Sequence, residues 1–549
     1  MNKTYYICKY TPIELMQAFG GNCVNLNCMQ SDFSAAEEVT HANICGFGKS
    51  IVESVLQGNV KELVLVNCCD TIRSVYDVLK ASEKLDFLYC LDVMHCKNDC
   101  SRERLSIELQ KFAKAYGKYK ETSFDMEQFQ QSFIQPKPVE EPYISVLGAR
   151  MGNELFEVIQ DAMPYQVQND TCVNNRCVNG ADMPKDCDWK TVMDWYAGEL
   201  LGQLPCMRMQ DDSKRRELYQ NPNLKGIVYH TVKFCDFYGF EYANLRNQST
   251  IPVLKIESDY TIQGSGQLQT RLDAFAESLS PKPSEKGKSS GKGYVAGIDS
   301  GSTSTDVVIL NRNREIVAEL ILPTGAGAAI GAERALEKVL ANAGLKRNDI
   351  DMLVTTGYGR NAISVGDKSI TEISCHAKGA HFLEPSVRTV IDIGGQDSKV
   401  IRLDENGSVV SFVMNDKCAA GTGRFLEMMA RTLEMSLEEM SERGVSYRED
   451  ITISSMCTVF AESEVVSLIA ENIAIDDIVH GINKSVATKT VSLVKRARGA
   501  ETYMMTGGVS KNKGLVKTLE KQLGSSVIVH DKAQLCGALG AALFALEMQ

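Results

Sequence analysis

Short apolar segments alternate with longer segments of helical periodicity along the N-terminal half of the chain. The short segments are rich in β-branched residues and end in polar or glycine turns; the clearest occupy positions 62–70, 142–150, 226–236 and 251–259. Segments with apolar residues at helical spacing, such as 72–85, separate them. This alternation predicts βαβ units, parallel sheets and the α/β fold class. Several cysteines and acidic residues follow the predicted strands, where open α/β sheets bind ligands.

The C-terminal half contains an internal repeat. GIDSGSTSTDVVIL begins at position 297 and VIDIGGQDSKVIRL begins at position 390. Aligning Asp299 with Asp392 also aligns the glycine two positions later and the apolar strand that follows. Two strand-turn-strand units that open with Asp-x-Gly predict a duplicated fold of two lobes, which would hold a nucleotide between them.

Two polar segments that contain proline mark domain boundaries. Segment 280–293, SPKPSEKGKSSGKG, has no apolar residue to anchor it, which is typical of a flexible linker. A weaker boundary, QPKPVEEP, occupies 135–142. We therefore expect two Rossmann-like parallel-sheet subdomains at 1–135 and 136–280, a linker at 281–293 and a two-lobed domain at 294–549. The lobes of that domain are expected at about 294–388 and 389–549.

Three glycine turns in the C-terminal half predict a site for ATP or ADP with Mg²⁺. Asp299 and Asp392 are the candidate groups for hydrated Mg²⁺, and Gln396 is the candidate for orienting a water or a phosphate oxygen. Backbone N–H groups and hydroxyls that could approach the nucleotide belong to Gly301, Ser302, Thr303, Gly394, Gly395, Gly507 and Gly508. This triple pattern resembles the actin, heat-shock ATPase and sugar kinase superfamily, which implies two ribonuclease-H-like lobes that close over ATP.

Cysteine content changes the picture from a simple ATPase to a redox protein. The chain has 18 cysteines, fourteen before the predicted linker and four after it, without the matched CxxC pairs typical of zinc sites. The net charge of −11 argues against nucleic-acid or anionic-membrane partners. Since no apolar run reaches about 18 residues, we expect a cytoplasmic protein. Reducing compartments discourage disulfides, so the cysteines are expected to serve metal or redox chemistry.

Cys418 and Cys457 share a sequence setting that predicts a cluster site. A helical apolar pattern begins immediately after each cysteine, so both thiols are expected near helix N-termini, where free N–H donors and the helix dipole favour a thiolate. A cubane takes four thiolates, and one chain offers two in this setting. We therefore expect a twofold homodimer that completes the ligand set.

Seven segments between Tyr294 and the C-terminus form a distinctive set: TTGYGRNAI, TEISCHAKGA, IDIGGQDSK, DKCAAGTGRF, SMCTVFAESEV, GGVSKNKG and LCGALGAALFA. In these segments the chain closely resembles the activator ATPases of 2-hydroxyacyl-CoA dehydratases and benzoyl-CoA reductases. The resemblance implies a 4Fe-4S cluster that bridges two protomers through Cys418 and Cys457. It also implies ferredoxin or flavodoxin as the electron donor, and ATP-driven delivery of the electron at low potential. Cys375 and Cys536 are expected to be structural.

The N-terminal half contains ICKYTPIELMQAFGG, NICGFGKSIVES, NCCDTIRSVYDVL, KFCDFYGFEYANL and the segment 251–277. In these segments it resembles the cluster-bearing subunits of the dehydratase family, and most closely the double-cubane cluster proteins. The resemblance implies a cubane between two α/β halves, with Cys45, Cys69 and Cys235 as ligands. Double-cubane relatives also carry cysteine at the positions of Cys8, Cys172 and Cys206, which gives six, the number that two sulfide-bridged cubanes would need. The count favours a double cubane over a single 4Fe-4S cluster. Ala149 stands where a cysteine is common in these relatives.

Four functions remain open at this point. The first is a reductase in which ATP hydrolysis drives electrons into a double cubane that acts on small inert substrates. The second is an activator and component of a 2-hydroxyacyl-CoA dehydratase, for which a second dehydratase subunit would be a partner. The third is a sugar or acetate kinase with an accessory domain. In the fourth, the N-terminal half is a metal-free scaffold that docks a separate dehydratase.

Overall fold

The computed structural model describes residues 3–41, 43–134, 140–173, 176–185, 187–261, 266–280, 293–325, 327–415, 418–454 and 457–549. These residues form two compact units, Met1–Leu272 and Asp273–Gln549. Residues 281–292 of the expected linker and residues 135–139 of the weaker boundary lie outside the described residues. None of the helices in the described ranges combines the length and the apolar character needed to cross a bilayer.

The first half of the first unit is a four-stranded parallel sheet with strand order β2-β1-β3-β4. Its strands are β1 (Lys3–Tyr6), β2 (Asn22–Asn25), β3 (Glu62–Val66) and β4 (Phe87–Leu91). Its helices are α1 (Ile13–Ala18), α2 (Ser34–Val39), α3 (Gly46–Leu56), α4 (Asp70–Ser82), α5 (Asp99–Lys120) and α6 (Met126–Gln131). Strand β3 is buried at every position, as expected of a central parallel strand covered on both faces.

The second half of the first unit repeats this plan. Its sheet is parallel, with order β6-β5-β7-β8. The strands are β5 (Tyr143–Gly148), β6 (Gln166–Asn169), β7 (Leu224–Val232) and β8 (Val253–Ser258). The helices are α7 (Asn153–Ala162), α8 (Trp189–Leu201), α9 (Ser213–Tyr219), α10 (Asp236–Gln248) and α11 (Gly266–Leu279). All four strands expected from the apolar segments are present, which confirms the parallel α/β class.

The division between the units falls inside α11, ahead of the expected linker. Asp273 accepts a hydrogen bond from Nη2 of Arg360 at 3.1 Å, and Glu277 accepts one from the backbone N–H of Thr371 at 3.0 Å. Ala274 is buried in a core cluster of the second unit. The C-terminal part of α11 therefore belongs by its contacts to the second unit.

The second unit contains two five-stranded sheets with the same topology, β11-β10-β9-β12-β13 and β16-β15-β14-β17-β18. The first sheet is formed by β9 (Tyr294–Ser300), β10 (Ser304–Leu310), β11 (Ile316–Pro323), β12 (Ile350–Thr356) and β13 (Lys368–Ser369). The second is formed by β14 (Thr389–Ile393), β15 (Ser398–Leu403), β16 (Val409–Asn415), β17 (Tyr503–Thr506) and β18 (Val527–Ile528). In each sheet the first three strands pair antiparallel, and the last two join the sheet in parallel pairings. The shared pattern confirms the predicted duplication.

Two helices connect the sheets of the second unit. Helix α13 (Glu372–Leu383) packs against the second sheet, and α19 (Cys536–Glu547) packs against the first. Glycines permit their contact, because a Cβ at Gly540 would collide with the carbonyl oxygen of Cys375. The remaining helices are α12 (Ala328–Ala343), α14 (Gly423–Thr432), α15 (Leu437–Arg443), α16 (Thr458–Ala470), α17 (Ile475–Ala497) and α18 (Lys513–Leu523).

Candidate functional site

The two repeated aspartates lie at the ends of equivalent strands and are joined by a histidine. Asp299 is near the end of β9, and Asp392 is near the end of β14. Nε2 of His376 lies 3.5 Å from Oδ2 of Asp299, and Nδ1 of the same ring lies 3.5 Å from Oδ1 of Asp392. His376 also contacts Oγ1 of Thr506 at 3.2 Å. The sequence analysis did not single out this histidine, although it lies in TEISCHAKGA.

Further charged side chains surround this pair. Nζ of Lys399 lies 2.9 Å from Asp397, 3.3 Å from Asp392 and 3.4 Å from Glu372. Burial raises the pKa of Glu372 to about 7, and burial together with the charge of Asp299 raises the pKa of Asp306 to about 8. Burial lowers the pKa of His376, but the carboxylates of Asp392 and Asp299 outweigh burial and raise it to about 9.

This acidic cluster has the donor chemistry of a magnesium site. Oδ1 of Asp306 and Oγ of Ser300 are buried and have no hydrogen-bond partner among the described residues. Mg²⁺ prefers carboxylate oxygens and retains several waters, so a few outer carboxylates suffice. Within the same described ranges, no three His, Cys, Asp or Glu side chains are arranged closely enough to enclose a single ion directly. The buried carboxylates of this cluster could hold an Mg²⁺ ion through its waters.

The predicted phosphate turns of the two lobes face each other. The turn between β9 and β10 carries Ser302 and Thr303, and the turn between β14 and β15 carries Gly394 and Gly395. A Cβ at Gly395 would collide with Oγ1 of Thr303 and would lie 3.0 Å from Oγ of Ser302. Glycine is therefore required for the two turns to meet. In the first turn, the N–H of Gly301 donates to the carbonyl of Ser304 at 2.9 Å.

The third glycine turn follows β17 and completes this region. Gly507 has a left-handed φ of 80°, and a Cβ there would lie 2.7 Å from Oδ1 of Asp392. At Gly508, by contrast, a Cβ would point into open space. Gln396 is exposed at the tip of the second turn. The three predicted turns therefore lie around Asp392 and the facing turn of the other lobe.

Cys418 and Cys457 are both exposed, but their settings differ. Cys457 is the N-cap residue of α16, as predicted. Cys418 lies farther from its helix, because α14 begins only at Gly423, with Thr422 as its N-cap. The intervening Gly421 has a φ of 93°, which interrupts helical geometry. The two thiols nevertheless act on one residue of α17: burial lowers the pKa of Lys489, and Cys418 and Cys457 oppose that shift.

In the first unit, three of the six predicted cysteines cap helices. Cys45, Cys69 and Cys235, here called the cap trio, are the N-cap residues of α3, α4 and α10. Burial raises the pKa values of Cys45 and Cys235, and the neighbouring thiols of the trio raise them further. A hydrogen bond with Cys68 lowers the pKa of Cys69 to about 6. Three helix N-termini therefore lie beside this group of thiols, and their backbone N–H groups partly offset the effect of burial on the pKa values.

The other three cysteines form a second group on loops. Cys8, Cys172 and Cys206, here called the loop trio, follow β1, β6 and α8. Burial raises the pKa of Cys8 to about 12, with Cys206 and Cys172 adding to the effect. Cys68 interacts with Cys69 of the cap trio and with two members of the loop trio, so it lies between the groups.

Two groups of three thiols fit two cubanes, each with three protein ligands. Each thiol of such a set binds a different iron, so the thiols surround the cluster and do not converge on one ion. The side chains around the trios include residues that the sequence analysis did not single out. The guanidinium of Arg208 lies 4.1 Å from the ring centroid of Phe237, and its charge lowers the pKa of Cys69. Cys375 and Cys536, in contrast, are fully buried in cores of the second unit.

Comparison with known proteins gives separate matches for the two halves. The sequence model of the BadF/BadG/BcrA/BcrD ATPase family matches residues 296–545, and that of the 2-hydroxyglutaryl-CoA dehydratase D-component matches residues 8–135 and 133–279. The 2-hydroxyisocaproyl-CoA dehydratase activator of Clostridioides difficile is 49% identical over 254 residues, which cover 46% of this chain and 95% of that protein.

Two further comparisons concern proteins of Acidaminococcus fermentans. Its (R)-2-hydroxyglutaryl-CoA dehydratase activating ATPase is 47% identical over 255 residues, 46% of this chain and 97% of that protein. The crystal structure of its (R)-2-hydroxyglutaryl-CoA dehydratase component A has 46% identity and a TM-score of 0.45, covering 46% of this chain and 98% of that one.

Proposed function

The chain joins a member of the BadF/BadG/BcrA/BcrD ATPase family to a unit of the dehydratase D-component family, and on that premise we propose ATP-driven electron transfer between its units. The second unit hydrolyses ATP and passes low-potential electrons to an iron-sulfur acceptor in the first unit. One observation carries this proposal: six of the fourteen cysteines of the first unit, those predicted as ligands, form two groups of three. A kinase with an accessory domain has no use for such groups.

The proposed site of ATP hydrolysis lies between the two lobes of the second unit. Asp299 and Asp392 hold the hydrated Mg²⁺ of the nucleotide, and the glycine turns donate backbone N–H groups to its phosphates. Gln396, exposed at the second turn, orients the attacking water. His376 and Lys399 keep the aspartates in place by opposing their mutual repulsion.

The electron enters through Cys418 and Cys457. Their exposure and their common neighbour Lys489 support a site at the surface, where two protomers of a homodimer would together supply four thiolates. A 4Fe-4S cluster at this position supplies one-electron chemistry, with ferredoxin or flavodoxin as the donor. Exposed apolar residues on α16, among them Val459, Phe460 and Val466, support burial of this surface against a second copy.

A direct link to the nucleotide supports coupling of ATP to this site. The backbone N–H groups of Gly423 and Arg424 donate to the carbonyls of Gly394 and Gly395, each at 2.8 Å. The segment that follows Cys418 is therefore bonded to the second phosphate turn. Movement of that turn on nucleotide binding or hydrolysis shifts the cysteine segment.

The acceptor in the first unit is a double cubane or two adjacent cubanes, held by the cap and loop trios. The reaction that it serves is the reduction of a small substrate. A second candidate function is supported by the match to the dehydratase D-component: the chain would then act as activator and component of a 2-hydroxyacyl-CoA dehydratase, with a second dehydratase subunit as partner.

Anaerobic purification and iron and sulfide counts on variants of the full chain test the proposal. With both trios occupied and one bridging cluster per dimer, wild type contains about ten iron atoms per chain. Cys45→Ser/Cys69→Ser and Cys8→Ser/Cys206→Ser should each remove about four. Cys90→Ser/Cys100→Ser is the matched control, because it removes two thiols outside the trios.

Each alternative gives a different count. A single dehydratase-like cubane predicts about six iron atoms per chain and no loss in the Cys8→Ser/Cys206→Ser variant. The metal-free scaffold predicts that the Cys45→Ser/Cys69→Ser variant retains all its iron. An iron-free wild-type chain that phosphorylates a sugar or acetate would overturn the proposal in favour of a kinase.

A further inference from the structure

Lys9 is a buried lysine between the segments that carry the loop trio. Its side chain is 1% exposed, it directly follows Cys8, and its Nζ donates to the carbonyl of Leu204, two positions before Cys206. Among the described residues, no carboxylate oxygen lies within 4.0 Å of this nitrogen. The groups whose negative charge would act most directly on Lys9 are the thiols of Cys206, Cys172 and Cys8.

Other well-buried lysines of the chain have carboxylate partners. Lys120 lies 2.6 Å from Glu62, and Lys49 lies 2.6 Å from Glu37. Lys399 has three carboxylates around it. Burying a charge without a partner is costly, so proteins pair such charges or neutralise them. Lys9 differs from these lysines, because its Nζ has a carbonyl acceptor but no carboxylate of the described residues within 4.0 Å, and the buried carboxylate of Asp170 acts on it only from farther away.

We propose that Lys9 is the counter-charge of an anionic iron-sulfur cluster held by the loop trio, and that it stabilises the reduced form of that cluster. This inference rests on the proposed function. It adds to the proposed cluster ligands a residue that acts on the cluster by its charge and does not bind iron. Reduction by one electron adds one negative charge to the cluster, and a nearby fixed cation favours that state. The cap trio obtains its positive field differently, from three helix N-termini and Arg208.

Replacement of Lys9 by methionine tests the inference, because methionine keeps an unbranched side chain only one atom shorter and removes the charge. In the iron-free full chain, Lys9→Met should leave the thermal unfolding midpoint unchanged or raise it, since an unpaired buried charge disappears. In the loaded chain, the loop-trio cluster should be lost, or its reduced-to-oxidised ratio at a fixed electrode potential should fall at least about tenfold. Redox titration followed by electron paramagnetic resonance measures this ratio.

Lys120→Met is the matched control. It removes another largely buried lysine of the first unit and leaves the carboxylate of Glu62 unpaired. It should therefore lower the unfolding midpoint with and without iron, while the reduced-to-oxidised ratio stays at the wild-type value. Lys9→Arg, which retains the charge, should restore iron content and potential toward wild type.

Two results would overturn the inference in distinguishable ways. If Lys9→Met lowers the midpoint of the iron-free chain and the loaded chain keeps its full iron and wild-type potential, Lys9 is only a structural anchor for Leu204. The proposed function then still stands. If the Cys8→Ser/Cys206→Ser variant loses no iron, the loop trio holds no cluster, and the inference falls together with the double-cubane proposal.

Discussion

The backbone N–H of Gly423 donates a hydrogen bond to the carbonyl oxygen of Gly394 at 2.8 Å. Gly394 belongs to the second phosphate turn, and Gly423 is the first residue of α14. Space at this contact is limited, because a Cβ at Gly423 would lie 3.1 Å from the carbonyl oxygen of Gly394 and 3.2 Å from Cγ2 of Val509. The bond therefore holds the start of α14 directly against the nucleotide region.

Gly423→Ala should weaken this connection. The added methyl group pushes α14 away from the turn, so we expect nucleotide affinity to fall by about tenfold, the effect of losing a hydrogen bond of roughly 1.4 kcal/mol. The change in Cys418 alkylation rate that MgATP produces in the iron-free wild type should disappear. Gly327→Ala, whose Cβ would meet only Cδ1 of Ile330 at 4.0 Å, is the control. If Gly423→Ala keeps wild-type nucleotide affinity and a wild-type response of Cys418 alkylation to MgATP, the Gly423–Gly394 bond does not couple the nucleotide to Cys418.

The pH dependence of stability should report the charge of His376. Its folded-state pKa is raised from 6.5 to about 9, so its contribution to stability is fully present below pH 6.5 and is lost as the pH rises through about 9. Without nucleotide and Mg²⁺, His376→Gln should therefore be less stable than wild type at pH 6.5, by on the order of 2 kcal/mol. The difference should shrink above pH 9. Thermal unfolding across this range measures it, and a constant difference would contradict the assignment.

The adjacent glycines of the third turn should respond differently to alanine. Gly507→Ala places a Cβ 2.7 Å from Oδ1 of Asp392 at a left-handed φ, so we expect ATPase activity to fall by about a hundredfold or more. In Gly508→Ala the added methyl group has no protein atom within 4 Å, so the variant should keep wild-type stability. The methyl group would occupy space proposed for the nucleotide, so we expect the KM for ATP to rise. Steady-state kinetics and thermal unfolding of both variants separate these effects. Equal, small effects at the two positions would remove this turn from the site.

Cys457→Ser should remove the bridging cluster. The thiol is exposed at the start of α16, so serine leaves the fold intact while one ligand from each protomer is lost. We expect iron to fall by about two atoms per chain and the dimer to dissociate under anaerobic conditions. Iron analysis and light scattering after size-exclusion chromatography check both. Cys536→Ala, at a fully buried cysteine of the same unit, should retain iron and dimer.

Local sequence patterns were sufficient to predict four of the eight strands of the first unit, the duplication of the second and the position of Cys457 near a helix N-terminus. These features depend on residues close together in the chain, such as the repeated Asp-x-Gly turns and the onset of helical periodicity. The pattern did not reveal the distance from Cys418 to its helix, because the left-handed Gly421 delays the helix until after Thr422.

The sequence by itself therefore determined the fold class, the two halves and the residue types available for nucleotide and cluster chemistry. Only the tertiary structure decided which of these residues meet. His376 reaches both aspartates because α13 packs between the lobes, and the cysteines divide into two trios because loops from both sheets of the first unit converge. Lys9 and Leu204 are 195 positions apart. Contacts over such separations depend on how sheets and helices pack, and no local periodicity encodes them.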